Sequence, residues 1–230
     1  MIIPIILLLL MACGQDSEAP SPMAVAPEGE AEGFTFLGLG KSSHYTDKLR
    51  EQLRQRLGHD VAERKMPLKL AIHPPGFVAQ HLPAIAALNQ RLNYAPRERI
   101  EQNILRLTYR YAEKKGTPFD RVELVFSQYT QKPLMFYIQS GKTGGEMIAA
   151  IQQKYGAYTE VTDPAREVTT RYWRDAGDVL ALTLGTDRFG DPEYHIWIFY
   201  ASNLEELAAT EEERRRIRQK NLNEAGKEAF

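Results

Sequence analysis

The chain has 230 residues, of which 43% are hydrophobic and 26% charged, and this composition excludes a disordered polymer and a polytopic membrane protein. It has 29 Lys and Arg residues against 30 Asp and Glu residues, a balance that excludes a globally basic nucleic-acid-binding protein. The single cysteine excludes an intramolecular disulfide framework and a cysteine-rich zinc site. A chain of this length has room for one sizeable hydrophobic core or two small ones.

The first 13 residues carry the clearest signal. Residues 1–11 form an apolar run, MIIPIILLLLM, which is followed by Ala12 and Cys13. A membrane-spanning helix needs about 20 apolar residues, so this run is too short for a permanent anchor and has the length of a signal-peptide hydrophobic region. The segment Leu10-Met11-Ala12-Cys13 resembles the lipobox of bacterial lipoproteins.

This resemblance implies that residues 1–12 are a signal peptide removed before Cys13. It also implies that the Cys13 thiol receives a diacylglycerol and that the new amino terminus is acylated, commonly with palmitate. Two or three acyl chains hold a soluble body at a membrane durably, whereas one chain gives only marginal binding. Two alternatives stay open: an ordinary secretory signal, and a buried N-terminal strand in which Cys13 has no special role.

Residues 13–33 are predicted to be a flexible, lipid-anchored tether. They contain five acidic residues, no basic residue and few bulky apolar side chains, so they cannot bury enough surface to offset the entropy of ordering. The body that follows keeps all 29 basic residues and 25 of the 30 acidic ones, a net charge near +4. Gly14, after Cys13, resembles the pattern that sorts enteric lipoproteins. The expected location is therefore the bacterial cell envelope, on the outer membrane and facing the periplasm.

Residues 34–118 show the hydrophobic patterns of two strands and three helices. Short apolar runs predict strands at 34–39 and 66–72. Apolar residues spaced three or four apart predict the helices. Their stripes are Tyr45, Leu49, Leu53 and Leu57, opened by Ser43 and ended by Gly58; Leu82, Ile85, Leu88 and Leu92, opened near Pro83; and Ile100, Ile104, Leu107 and Tyr111, opened by Pro96.

Residues 119–230 show a different order of elements. Thr143 and Asn203 each begin a capping-box pattern, which predicts one helix that runs to Tyr155 and another at the C-terminal end. Alternating apolar residues predict a hairpin and three later strands. The predicted strands are 122–126, 134–138, 167–174, 179–184 and 193–200. The last of them is apolar on both faces, which is typical of a central strand covered on two sides.

Together these elements predict an α+β protein in which a mixed or mainly antiparallel sheet packs with helices. The change of pattern near residues 116–118 marks either a boundary between subdomains 34–118 and 119–230 or a turn within one domain, and the sequence leaves both open. No internal repeat is apparent. The C-terminal helix loses its apolar stripe after Leu207, so its end is predicted to project into solvent or onto a partner.

The later part of the chain also resembles an arrangement found in uncharacterised bacterial envelope lipoproteins. The resemblance lies in the hairpin, the helix ending in Lys154-Tyr155-Gly156, the strand that carries Trp173, and the last strand, which runs into Tyr200. It brings no known catalytic residue.

Two segments have the strand-to-helix setting of a phosphate-binding loop. These are Gly40-Lys41-Ser42 and Gly141-Lys142-Thr143. Such a loop needs another glycine five residues earlier, where this chain has Thr35 and Phe136. We therefore do not expect nucleotide binding, and the capping box accounts for Thr143.

The histidines offer no complete metal site. The residues spaced to contribute to one are His59 with Asp60 and Glu63, and His73 with His81. Neither set gives the i, i+4 histidine pair with a third ligand that typifies zinc proteins, so we expect no metal and no cofactor. His195 lies among aromatic residues and is predicted to be packed or hydrogen-bonded. A dispersed hydrolase site around His73, His81 or His195 stays open as the alternative, because catalytic triads are assembled in space.

Basic and aromatic residues adjoin at two places, Tyr109 with Arg110 and Arg171 with Trp173. Such pairs suit contact with a glycan or polyanion, although core aromatic residues beside solvated basic ones give the same pattern. A clear envelope address without an active-site motif predicts a non-enzymatic binding or accessory module. Its expected partners are the membrane, through lipidated Cys13, and an envelope protein or glycan, and no nucleic acid.

Overall fold

A computed structural model describes residues 33–94 and 100–228. The predicted signal peptide, Cys13 and all but the last residue of the predicted tether lie outside the described residues, as does Pro96. The expectations that rest on those positions therefore stay predictions.

The described residues form one antiparallel eight-stranded sheet and five α-helices, which confirms the α+β prediction. The sheet order is β1-β2-β3-β4-β8-β7-β6-β5. The strands are β1 Asp60–Met66, β2 Gln102–Arg110, β3 Arg121–Ser127, β4 Pro133–Ser140, β5 Thr159–Asp163, β6 Val168–Asp175, β7 Asp178–Thr186 and β8 Pro192–Phe199. The helices are α1 Asp47–Leu57, α2 Phe77–His81, α3 Pro83–Leu92, α4 Gly145–Tyr155 and α5 Ala201–Glu228, with short 3-10 turns at Ala112–Lys115 and Lys142–Gly144.

Two halves of the chain each contain a helix and four antiparallel strands, but helices α2 and α3 interrupt the first half between β1 and β2. Residues 47–140, here the α1 half, have a helix and then the antiparallel strands β1 to β4; residues 145–199, here the α4 half, have a helix and then β5 to β8. Both helices have 11 residues and end at a glycine, Gly58 or Gly156, whose N–H bonds a carbonyl four residues back. The halves meet where β4 pairs with β8. This repeat of architecture has no counterpart that sequence inspection detects.

Helices cover both faces of the sheet. The face beneath α1 and α4, here the α1/α4 face, carries one hydrophobic cluster; the opposite face, here the α5 face, packs against α2, α3 and α5. Strand β8 lies at the middle of the sheet, as predicted, and sends Ile196 and Ile198 to the first face and Trp197 and Phe199 to the second. Within the described part of α5, residues beyond Ala208 are not buried.

The third predicted helix is wrong, because its residues form β2. Ile104 and Leu107 are spaced as on a helix, but in the strand Leu105, Leu107 and Tyr109 face the α1/α4 side while Ile104 faces the α5 side. A strand buried on both faces has no clean alternation, so periodicity alone does not separate it from a helix. Strand β2 pairs with β3 from Ile104 to Arg110, and the sheet is therefore continuous across residues 116–118.

The strands predicted at 34–39 and 66–72 are also wrong. Residues 34–39 make a turn closed by an isolated bridge between Phe36 and Leu39. Residues 67–72 are buried at alternate positions but pair with no strand; the N–H groups of Leu68 and Leu70 donate to the side chains of Gln102 and Asn89 instead, at 2.7 and 2.8 Å. Conversely, the edge strands β1 and β5 are polar and gave no apolar signal.

Helix starts differ from the predicted caps, while the later strands match. Thr46, not Ser43, caps α1, its Oγ1 accepting from the Leu49 N–H at 3.1 Å. Thr143 lies in a 3-10 turn before α4. Asn203 lies inside α5, where its amide donates to the carbonyls of Lys41 and Pro133 at 2.9 and 2.8 Å. The start of α3 at Pro83, the hairpin of β3 and β4, and strands β6, β7 and β8 are confirmed.

Candidate functional site

A polar cluster spans the junction between the two halves. Strand β4 contributes Tyr137 and Gln139, and strand β8 contributes Glu193 and His195, with Gln139 opposite His195 in the register. The alternation along β8 puts His195 on the α5 face beside Trp197, and the two rings stack with centroids 5.7 Å apart. The cluster therefore depends on the pairing of β4 with β8.

Hydrogen bonds fix the orientation of the His195 ring. Nε2 lies 3.1 Å from Oε2 of Glu193, and Nδ1 lies 2.8 Å from the Tyr137 hydroxyl. Because a carboxylate only accepts, we assign the ring proton to Nε2, so the Tyr137 hydroxyl donates to Nδ1. Gln139 Nε2 donates to the other Glu193 oxygen at 2.7 Å. The chain Tyr137, His195, Glu193, Gln139 is thus a continuous network.

Burial keeps the two rings of this network uncharged. It lowers the pKa of His195, as does the nearby His73, while Glu193 opposes the shift. Burial likewise raises the pKa of Tyr137 far above its ordinary value. At neutral pH the histidine is therefore a neutral acceptor at Nδ1 and the phenol a donor.

The network borders a pocket of about 350 Å³. Thr183 on β7 lies in its wall, and its hydroxyl donates to the His73 carbonyl at 3.1 Å and lies 3.1 Å from the Thr170 hydroxyl. Arg166 brings a guanidinium that is paired with Asp163. The lining residues are His73, Arg166, Val168, Thr183, Gly185, Thr186, Glu193 and His195. Donors and acceptors thus surround the pocket on a rigid sheet surface.

The polar groups around the pocket are bonded mainly to one another. A histidine held by a carboxylate at one nitrogen can act as a general base towards a hydroxyl or a water molecule at the other. Both nitrogens of His195 are engaged by Glu193 and Tyr137, and the Thr183 hydroxyl is engaged by a carbonyl. Among the described residues, no three His, Cys, Asp or Glu side chains are grouped so that they could hold a metal ion. What the pocket offers is an ordered set of hydrogen-bonding groups.

Two of the three predicted histidines come together. His73 and His195 line the same pocket. His81 does not; its ring lies against Phe77, with centroids 4.7 Å apart, and its carbonyl accepts from Arg174. His59 gains no metal partner from Asp60, because that carboxylate binds Arg50 and Arg54.

The predicted basic and aromatic pairs lie far apart in the sheet. Tyr109 and Arg110 are on β2 and Arg171 and Trp173 are on β6, with β3, β4, β8 and β7 between them. Tyr109 is fully buried, and its hydroxyl has no hydrogen-bond partner in the described part of the chain. Trp173 is buried and donates to the Gly156 carbonyl at 3.0 Å. The two aromatic residues therefore belong to the core.

Their basic neighbours lie on the surface. Arg110 is exposed at the end of β2, beside Asp120. Arg171 pairs with Glu160 at 2.7 Å and lies over the Tyr158 ring at 5.1 Å. Each base is thus placed by its own strand, and no common binding surface results.

Sequence reasoning missed Tyr137, Gln139, Glu193 and Thr183. Each lies in a strand that was predicted correctly, on the same face as His195 or beside it. Alternation within β4 and β8 could have put them on that face. The pairing of two strands more than fifty positions apart has no signal in a single sequence.

The two glycine-lysine segments occupy equivalent places, just before α1 and just before α4. The Lys142 ammonium pairs with Asp191 at 2.9 Å, and the Lys41 carbonyl accepts from Asn203. Both segments are thus turns that lead into the helices of the two halves.

No family model, no curated protein and no solved structure matches this chain. In residues 33–94 and 100–228, no helix combines the length and apolar character that crossing a bilayer requires. The arguments for function therefore rest on the chain's own residues.

Proposed function

We propose that this protein is a lipid-anchored lipoprotein of the bacterial envelope whose body binds a hydroxyl-rich ligand, such as a cell-wall glycan, without altering it chemically. The observation that carries the binding activity is the network of Tyr137, His195, Glu193 and Gln139 beside its pocket. Sugar hydroxyls both donate and accept, and a pocket that mixes a carboxylate, threonines, a histidine and an arginine matches them.

The placement of the network supports this activity. Groups that hold one another in fixed orientations lose little freedom when a ligand binds, so less of the binding energy is spent on ordering. The two central strands β4 and β8 carry all four side chains, and central strands are more rigid than loops.

Tryptophan fluorescence tests the proposal, because the chain has two tryptophans on opposite faces of the sheet. In a Trp173→Phe background, Trp197 reports on the stacked His195 ring. Titration with soluble peptidoglycan fragments should change this signal in a saturable way. The same mixtures, analysed by mass spectrometry, should contain the fragments unchanged.

Tyr137→Phe removes one hydroxyl and leaves the ring. That hydroxyl orients His195 and does not line the pocket, so its removal should weaken binding by at most the value of one hydrogen bond, about 1 kcal/mol, and raise Kd up to roughly fivefold. Tyr111→Phe, at an exposed tyrosine beyond β2, is the matched control and should bind as the parent does. No saturable response, or equal effects of both substitutions, would refute glycan binding at this pocket; cleaved fragments would favour the alternative, a periplasm-facing hydrolase.

The envelope address rests on the segment Leu10-Met11-Ala12-Cys13 and has its own test. The intact mass of the native protein should correspond to a chain that begins at Cys13 and carries acyl groups. Cys13→Ala should release the folded body into the soluble fraction, whereas the neighbouring Gln15→Ala should leave it with the membranes. A native chain that begins at Met1 without acyl groups would contradict the address and leave the pocket proposal standing.

A further inference from the structure

The helices α1 and α4 carry the same apolar stripe but pack differently. Both stripes fall on the third, seventh and eleventh helical positions. In α1 these are Leu49, Leu53 and Leu57, which are 7%, 3% and 0% exposed. In α4 they are Met147, Ile151 and Tyr155, and all three are only partly buried. Helix α4 buries Ile148 next to this stripe, but the stripe itself does not close onto the sheet as that of α1 does.

A cavity of about 240 Å³ fills the space that α4 leaves. Its floor is the sheet, its roof is α4, and its side wall is the turn at 35–37 together with Phe119. The residues of the floor are Ile138, Leu180, Ile196 and Ile198, all nearly or fully buried. The space is open to solvent at one side, so it is an apolar cleft rather than a closed interior void.

The side chains of the sheet differ between the α1/α4 face as a whole and the floor of the cleft, although the α4 half also presents Trp173 to this face. The strands of the α1 half present Tyr109, Phe126 and Phe136 to this face, all fully buried, and Tyr45 packs on Phe126 with ring centroids 5.6 Å apart. The floor of the cavity has aliphatic side chains instead. Smaller side chains beneath an equally long helix leave unfilled volume.

The cavity opens beside one cation. The Lys154 ammonium is exposed at the mouth and donates to Thr35 Oγ1 at 2.6 Å, while the Tyr155 hydroxyl accepts from the Thr35 N–H at 3.0 Å. Within the described ranges Lys154 has no acidic partner. The ammonium also lies over the Tyr155 ring, 5.0 Å from its centroid. An apolar cleft with an ammonium at its entrance is complementary to a molecule with an apolar tail and an anionic head.

We propose that the α4 cavity binds a free medium-chain fatty acid, with the alkyl chain inside and the carboxylate at Lys154. The volume accommodates roughly eight methylene groups, if each displaces about as much space as one water molecule, about 30 Å³. This site lies on the α1/α4 face, opposite the His195 pocket, and does not depend on glycan binding.

Calorimetric titration with sodium hexanoate, octanoate, decanoate and dodecanoate at pH 8 tests how binding depends on the length of the alkyl chain. Each methylene that enters an apolar cavity should tighten binding about fourfold. The gain should stop near decanoate, because the cavity is then full. Absence of binding, or a gain that continues unchanged to dodecanoate as in adsorption to an open surface, would overturn the proposal.

Lys154→Gln tests the head group. Its matched control is Arg56→Gln, because Arg56 has the same tenth position in α1, where the stripe is closed onto the sheet. Decanoate binding should weaken at least fivefold in the first variant and stay unchanged in the second. Decyltrimethylammonium, which has the same tail and a cationic head, should bind more weakly than decanoate to the parent. Equal effects of the two variants would refute the role of Lys154.

Ile151→Phe tests the location by filling the cavity from α4. This variant should lose decanoate binding and keep the thermal unfolding temperature of the parent or exceed it, which excludes misfolding as the cause. The Trp197 response to peptidoglycan fragments should persist in it. Decanoate binding that survives the filled cavity would place the fatty acid elsewhere and overturn the assignment.

Discussion

The α1 half and the α4 half have one architecture and use it differently. In the α1 half the helix stripe is buried in the cluster that contains the large aromatic side chains of the sheet, and the Asp60 carboxylate, whose side chain is inaccessible to solvent, binds Arg50 and Arg54 of the helix. In the α4 half the stripe is only partly buried and borders the aliphatic side chains of the cavity floor. The first residue of β5 is Thr159, which has no carboxylate to pair with a helix, whereas β1 begins with Asp60. Tight packing stabilises a fold, whereas open packing leaves space for a ligand. We therefore expect the α1 half to contribute more than the α4 half to the free energy of unfolding.

The largest effect is expected from the ion pair that the α1 half has. Asp60→Asn leaves two guanidinium groups beside a neutral amide and should lower the free energy of unfolding by about 3 kcal/mol. In the edge strand of the α4 half, Asp163→Asn breaks a more exposed pair with Arg166 and should cost less than about 1 kcal/mol. Urea denaturation at pH 7 measures both. Similar costs would mean that the two edges contribute equally.

Unfolding at acidic pH should also show how much the Asp60 ion pair contributes to stability. Burial raises the pKa of Asp60, but the hydrogen bonds and charges of Arg50 and Arg54 outweigh it and hold the pKa below the ordinary value of 3.8. A carboxyl with a lowered folded-state pKa stabilises the fold above its unfolded pKa and loses that contribution as the pH falls through the folded value. Unfolding followed from pH 6 to pH 2 should therefore show a steeper acid loss in the parent than in Asp60→Asn.

The next largest effect separates the helices. Leu53→Ala empties a closed site in α1 and should cost about 3 kcal/mol. Ile151→Ala, at the same position of α4, removes atoms that already border a cavity and should cost about 1 kcal/mol, because less packing is lost. Thermal and urea unfolding of the two variants provide the measurement. A cost for Ile151→Ala that equals that of Leu53→Ala would show that α4 is as firmly packed as α1.

Substitutions at the residues that precede α4 and α1, Gly144 and Thr46, should lower the free energy of unfolding by smaller amounts and for different reasons. Gly144 is buried, and a Cβ there would lie 2.6 Å from the Tyr194 ring and 2.7 Å from Ser140 Oγ, so Gly144→Ala should cost about 2 kcal/mol through overpacking. Thr46→Ala removes the side-chain cap of α1 and should cost about 1 kcal/mol. Crowding thus limits the start of α4, whereas a hydrogen bond stabilises the start of α1. The reverse order of costs, measured by urea unfolding, would contradict this.

Much of the fold was predictable where one physical signal dominated. Pro83 marked the start of α3, the alternation of β3 and β4 marked a hairpin, and the two apolar faces of β8 marked a central strand. The edge strands β1 and β5 could not be predicted, because polar side chains on exposed edges show no apolar alternation. Strand β2 was mistaken for a helix because it is buried on both faces.

The sites were less predictable than the fold. His73 and His195 stood out as chemically versatile residues, but Tyr137 and Glu193 became partners only through the pairing of β4 with β8. The α4 cavity had no sequence signal at all. The stripes of α1 and α4 look alike in sequence, and their difference comes from the volumes of side chains on distant strands.

The smallest expected effect concerns the junction, which belongs to both halves. Burial lowers the pKa of His195 below its ordinary value of 6.5, so the unfolded chain takes up a proton at a higher pH than the folded one. Stability should therefore decrease as the pH falls from about 6.5 towards the folded-state pKa, and should change no further through this group below it. His195→Gln removes this slope, while His81→Gln, outside the network, keeps it. If the slope between pH 6.5 and pH 5 survives in His195→Gln, the junction histidine is not the group that resists protonation, and the neutral donor and acceptor assignment of the network fails with it.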